Sequence, residues 1–312
     1  MVKKIEVAVT AWSASAGWRA DTLCHQAEAA EAMGFHSFWL PENHFGDHRS
    51  IPSPLTLLAA VAARTERIKL GSTSYLLPIR HPLLAAEEVA VLDQLSNGRV
   101  ILGVGRGIQD AVFRAFDIPS GDKRKLFQVN LDIMRRAWRG EPVAQDAHGK
   151  PICLAPLPVQ QPCPPLWVAA LGPLALKQVA GLGLPYLASP IESLDTLEVN
   201  YQGYHQAIGA AGLAAVSTVP VMRTVFITDD GGLAEQVRTA LAGTVPPAMQ
   251  HKAAAVDDWA IVGDRHYARD KVSQYSERLG VSHLIARGGI SGVTGAAQLR
   301  SHEQLLDVVS GL

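Results

Sequence analysis

Residues 63–107 read ARTERIKLGSTSYLLPIRHPLLAAEEVAVLDQLSNGRVILGVGRG, and three patterns succeed one another within them. Residues 67–77 are rich in aliphatic, hydroxylated and aromatic side chains and predict a strand. Residues 81–95 open on His81-Pro82 and repeat Leu, Ala and Val at helical spacing. This predicts a helix begun by proline and stopped at Ser96-Asn97-Gly98. Residues 99–104 return to an aliphatic run, a second strand. Two strands joined through a helix have room to lie parallel, because the helix supplies the crossover.

The same alternation extends both ways along the chain. Further strands are predicted at 5–12, 36–41, 166–171, 184–189, 219–228 and 282–286. Helices are predicted at 21–33, 54–63, 173–182, 194–211, 233–241, 265–279 and 303–309, with a long helical region ending at Trp138. Eight strands alternating with helices predict a (β/α)8 TIM barrel, an α/β fold, with residues 1–312 as a single domain. Two irregular stretches, 140–165 and 244–258, read as insertions after the strand-four and strand-seven units, the first as a hairpin. An open doubly wound sheet is the alternative, but Gly103-Val-Gly105-Arg-Gly107-Ile108 has the wrong final spacing for a dinucleotide loop.

Composition narrows the function classes. The chain has 312 residues, 48% of them hydrophobic, and a net charge of -1 from 28 basic and 29 acidic residues. Such a balance draws the molecule neither to nucleic acid nor to an anionic membrane. The three cysteines, Cys24, Cys153 and Cys163, form no C-x-x-C pair and read as reduced thiols. No apolar run reaches membrane-spanning length, and the first residues lack a signal-peptide pattern, so a cytoplasmic location is expected.

In a barrel, chemistry collects where strands end. After the second strand come Glu42, Asn43, His44 and His48. They read as a polar active-site wall in which His44 moves a proton, as a metal site of Glu42, His44 and His48, or as structural histidines. After the fourth strand, Gly105 and Gly107 allow close backbone approach and Arg106 offers a permanent planar cation, a trio suited to a phosphate. A tight turn with a solvated arginine is the plainer alternative. After the fifth strand, Gly172 precedes a proline-initiated helix whose free N–H groups also suit an anion. Trp12 and Tyr75 sit late in their strands and either face the pocket or fill the core.

These residues resemble a known family. Residues 27–45, AEAAEAMGFHSFWLPENHF, are similar to the first signature of the bacterial-luciferase-like flavin monooxygenases. Residues 63–107 are similar to the second, and residues 262–292, with VGD…LGVSHLIARGGISG, to the family's C-terminal end. The resemblance implies a barrel that binds reduced FMN, reacts with dioxygen and oxygenates a small organic substrate, the flavin being reduced by a separate reductase. It implies a non-proline cis peptide at Thr73–Ser74 against the flavin ring. It places Trp12, Arg106 and Gly107 on the flavin, Arg106 at its phosphate, with backbone at Leu171, Gly172 and Ala175 completing the cradle. It further implies a homodimer, and no metal.

The chain departs from the family pattern twice. The family shows Glu-His-His after the second strand, its first histidine tied to catalysis. Here that position is Asn43, which can hydrogen-bond a flavin but cannot act as a base, and any proton transfer falls to His44 or another group. The phosphate loop carries Leu171-Gly172-Pro173-Leu174-Ala175 where hydroxyl side chains are common, which predicts a weakly held flavin, a co-substrate. Three competing readings stand beside the oxygenase: an F420-dependent oxidoreductase on the same scaffold, a non-catalytic flavin-binding protein, and a metal-dependent hydrolase.

Overall fold

The structure, a computed structural model, describes residues 4–13, 19–245 and 254–312. In chain order its first elements are β1 (Glu6–Thr10), α1 (Ala20–Met33), β2 (Ser37–Leu40), α2 (Pro54–Ala62), β3 (Lys69–Ser72), β4 (Tyr75–Leu76), α3 (Pro82–Leu95) and β5 (Val100–Gly105). Next come α4 (Asp110–Ala115), α5 (Lys123–Trp138), β6 (Ala144–Gln145), β7 (Pro151–Ile152), β8 (Leu166–Ala169), α6 (Pro173–Leu182), β9 (Tyr186–Leu187) and α7 (Leu194–Ala210). The chain closes with β10 (Pro220–Ile227), α8 (Gly231–Ala242), α9 (Val256–Trp259), β11 (Ala260–Gly263), α10 (Arg265–Leu279), β12 (His283–Arg287) and α11 (Gly295–Ser310). This is an α/β fold in which parallel strands alternate with helices.

The chain divides into two compact units, one of Met1–Ser15, Ala29–Phe38 and Ala170–Leu312, the other of Ala16–Glu28 and Trp39–Ala169. In the first, β10 pairs in parallel with both β11 and β12, and β12 pairs in parallel with β1. Its core gathers Phe226, Val237, Trp259, Val262 and Ile290. Arg223 is fully buried there, donating to the Tyr275 hydroxyl at 2.6 Å, the Met222 carbonyl at 2.9 Å, the Glu192 carbonyl at 2.8 Å and the Ser189 carbonyl at 3.3 Å.

In the second unit, β5 is the central strand, parallel to β3, β4 and β8. The Trp39 and Trp167 rings stack at 4.9 Å between centroids, and Gly71 leaves the space they need. Buried Arg99 is satisfied by the carbonyls of Ala62, Thr65, Ile68 and Ser96 and by the Thr65 hydroxyl. The Trp138 indole donates to the Ala86 carbonyl at 3.0 Å, fixing α5 on α3. β6 and β7 form an antiparallel hairpin within the first irregular stretch.

Four expectations are corrected. The third predicted strand is two, β3 and β4, interrupted at Thr73–Ser74, whose peptide is cis. The long helical region ending at Trp138 is α4, a 3-10 turn at Ser120–Asp122, and α5. The strand β11 was not anticipated, since four residues beside an irregular stretch carry no visible period. The last helix begins at Gly295 rather than at 303, because the Thr294 side chain accepts from the Ala297 N–H and caps it there. Much of the second irregular stretch, residues 246–253, lies outside the described residues.

Candidate active site

The second unit assembles a charged network at the ends of β2 and β4. Glu42 follows β2 by two residues, and its carboxylate is fully buried. Its Oε1 accepts from His44 Nε2 at 2.7 Å and from Arg80 Nη1 at 2.7 Å. Its Oε2 accepts from the Leu76 N–H at 3.0 Å. Arg80 also donates to the Leu76 carbonyl at 2.8 Å, and its guanidinium lies 3.9 Å above the Tyr75 ring. The Tyr75 hydroxyl donates to Glu88 at 2.6 Å, and burial pushes the phenol's pKa well up.

A buried carboxylate is tolerated when hydrogen-bonded and paired. An arginine and a backbone amide can only donate, so Glu42 is held as an acceptor and His44 carries its proton on Nε2. The second ring nitrogen, Nδ1, is the one not engaged by Glu42. Around His44 stand Phe116 at 5.3 Å and Phe45 at 5.8 Å, centroid to centroid. Phe45 and Phe116 are both exposed, an apolar edge beside a polar dyad.

Asn43 lies on the surface. Its side-chain oxygen accepts from the Ile51 N–H at 2.5 Å and its own N–H donates to the Ile51 carbonyl at 3.0 Å, so it closes the loop after β2. His48 is exposed, and among the described residues no group of three His, Cys, Asp or Glu is placed to hold a metal ion.

At the end of β5, the glycines make room for neighbouring side chains. A Cβ on Gly105 would stand 2.1 Å from Ser74 Oγ, so this glycine makes room for the serine of the cis pair. Gly107, at φ 75°, faces the Phe113 ring, 3.1 Å from a notional Cβ. Arg106 is half-buried, its guanidinium 6.0 Å from the Phe127 centroid. Burial, and then the nearby positive charge of Arg124, lower its pKa. Two cations drawn together in a partly dry setting fit a multiply charged anion such as a phosphate.

In the first unit, Gly172 caps α6 at φ 84°. The Ala175 N–H donates to the Gly172 carbonyl at 3.1 Å, which commits that amide to the helix, while Leu171 is exposed. Trp12 is buried, edge-on to His302 at 5.1 Å and against Gly288. Sequence reasoning did not single out Arg80, Glu88 or the Ser74–Gly105 fit. The flanking prolines Pro78 and Pro82 were the one local sign that Arg80 is held in place.

A carboxylate–histidine pair and an arginine on glycine-bounded backbone thus stand on a parallel α/β scaffold. The chain belongs to the luciferase-like monooxygenase family, whose model matches residues 6–283. It is 29% identical over 162 residues to the oxygenase component of a flavin-dependent trigonelline monooxygenase from Acinetobacter baylyi, covering 49% of this chain and 44% of that one. The chain spans about half the length of such curated relatives, 47% of another that is 37% identical. Among solved structures, the monooxygenase RslO1 from Streptomyces bottropensis aligns with a TM-score of 0.80 at 26% identity, over 97% of this chain and 98% of that one. The oxygenating constituent of 3,6-diketocamphane monooxygenase from Pseudomonas putida, in complex with FMN, aligns with a TM-score of 0.81 at 19% identity, over 98% of each chain. F420-dependent enzymes share the fold as well, with TM-scores of 0.72 and 0.77 at 18% identity. Among the described residues no helix is long and apolar enough to cross a membrane.

Proposed function

We propose that this chain is a flavin-dependent monooxygenase that uses reduced FMN and dioxygen to oxygenate a small organic substrate. The observation that carries the reading is the Glu42–His44–Arg80 network, joined through the Leu76 N–H to the segment that holds Thr73 and Ser74, in a member of this family. When bound, the flavin supplies the electrons and activates oxygen. The protein's part is to hold it, keep water away and manage protons.

Arg106 and Gly107 would hold the phosphate, and Thr73 and Ser74 would back the ring system. The resemblance also proposes contacts from Trp12, Leu171, Gly172 and Ala175, each open to its own substitution. Arg80 and the Leu76 amide donate to Glu42, and Glu42 in turn accepts from His44 Nε2 and fixes the ring's orientation. His44 Nδ1 is then the atom that takes or returns a proton near the reacting centre. Phe45 and Phe116 would shed water from that side. A closed eight-unit barrel, a separate flavin reductase, a homodimer and a cytoplasmic site of action belong to the same reading.

The deciding experiment is anaerobic calorimetric titration of the purified protein with reduced FMN and, in parallel, with reduced F420. Binding of reduced FMN supports the oxygenase. Binding of F420 alone would move the chain to the hydride-transfer enzymes, and binding of neither would end the flavin reading.

A further inference from the structure

Arginines buried for structural reasons in this chain are fully engaged, as Arg99 and Arg223 show through their carbonyl and hydroxyl partners. Arg287 differs. It is the last residue of β12, at the C-terminal edge where (β/α) enzymes place their chemistry. Among the described residues its guanidinium has no hydrogen bond and no ion pair. Solvent reaches the residue, yet the surrounding protein desolvates the charge and lowers its pKa.

Two features make the position a built one. Its Cα partner across the parallel pair is Thr224 of β10, and such partners project from the same face of a sheet. Thr224 is buried, and among the described residues its Oγ1 has no hydrogen-bond partner. An unmet buried hydroxyl costs stability unless something else satisfies it. The backbone after Arg287 is also tied down. The Gly288 N–H donates to Thr10 Oγ1 at 2.9 Å, and Trp12 leaves no space for a side chain there. The Gly289 and Ile290 N–H groups both donate to Gln298 Oε1, at 3.0 and 3.3 Å. The strand end is fixed while its cation awaits an anion.

We propose that Arg287, together with the Thr224 hydroxyl, forms an oxyanion subsite that takes the carboxylate of the organic substrate. A planar carboxylate matches the guanidinium fork through two parallel N–H bonds, and the threonine hydroxyl is placed to donate a third. The word substrate rests on the monooxygenase reading; the subsite itself does not.

The test is calorimetry on the flavin-free protein with octanoate and benzoate against octanamide and benzamide, their uncharged counterparts. The carboxylates bind more tightly by about tenfold or more. Arg287→Gln abolishes that preference and leaves the affinity for FMN unchanged, and Thr224→Val weakens it several-fold. Arg287→Lys keeps the charge without the fork and retains part of the preference, which covers a glutamine variant that fails to fold. Equal binding of acids and amides by the unmodified protein, or a preference that survives Arg287→Gln, would overturn the subsite. So would an Arg287→Gln variant that loses FMN affinity while keeping the carboxylate preference, since the guanidinium would then serve the flavin. Because no flavin is present in the carboxylate titrations, their failure leaves the reduced-FMN result to decide the monooxygenase reading separately.

Discussion

Arg106 is half-buried, and its pKa is lowered by burial and by the neighbouring charge of Arg124, so a phosphate would relieve a repulsion as well as form hydrogen bonds. Arg106→Ala is expected to weaken flavin binding by about 1.5–3 kcal/mol, roughly 10- to 150-fold in Kd. Fluorescence titration checks this, and an unchanged Kd would put the phosphate elsewhere. His44 is expected to separate binding from turnover. His44→Ala should abolish oxygenation while FMN affinity holds, because its one strong partner is Glu42. Equal loss of both would make the residue a packing group. These two side chains were legible in the sequence, since an arginine between glycines and a histidine near a glutamate at a strand end are local patterns. Arg80 and Glu88 were not, because they act through Glu42 and Tyr75, and those pairings exist only once β2, β4 and α3 are packed.

For the elements, periodicity told most of the story and failed where the chain breaks its own pattern. Helices such as Pro173–Leu182 and Arg265–Leu279 start and stop where capping chemistry says they should, with Gly183 and Gly280 in the left-handed conformation just beyond. The interruption between β3 and β4 has no periodic signature, and only the family resemblance marked it. Gly71 shows why a strand sequence also encodes its neighbours. A methyl group there would stand 2.1 Å from the Trp39 ring, which is fully buried and stacked on Trp167. Gly71→Ala should therefore destabilise the protein by about 1–3 kcal/mol or more. The urea midpoint reports it, and a midpoint within error of the parent would show that the tryptophan pair gives way freely.

At the scale of the whole molecule, acid stability is expected to depend on His302. The ring is fully buried between Trp12 and Phe35, its two nitrogens lack hydrogen-bond partners among the described residues, and burial lowers its pKa from 6.5 to about 4. Between those values the unfolded chain binds the proton and the folded one does not. Stability is therefore intact above about pH 6.5 and is lost as the pH falls toward 4, by on the order of 3 kcal/mol. Unfolding midpoints of the parent and of His302→Gln across that range test this. A parent whose acid slope the substitution leaves unaltered would assign the effect to carboxylates.

The sequence by itself determined the alternation of strand and helix and the positions of most helix ends, because each depends on residues adjacent along the chain. The folded arrangement alone decided that Asn43 closes a loop, that Gly105 receives Ser74, that Glu42 gathers three donors, and that Arg287 and Thr224 share a face with their polar groups unmet. Hydrogen bonding and steric fit are set by distance in space, and residues far apart in sequence acquire that distance only when the strands pair.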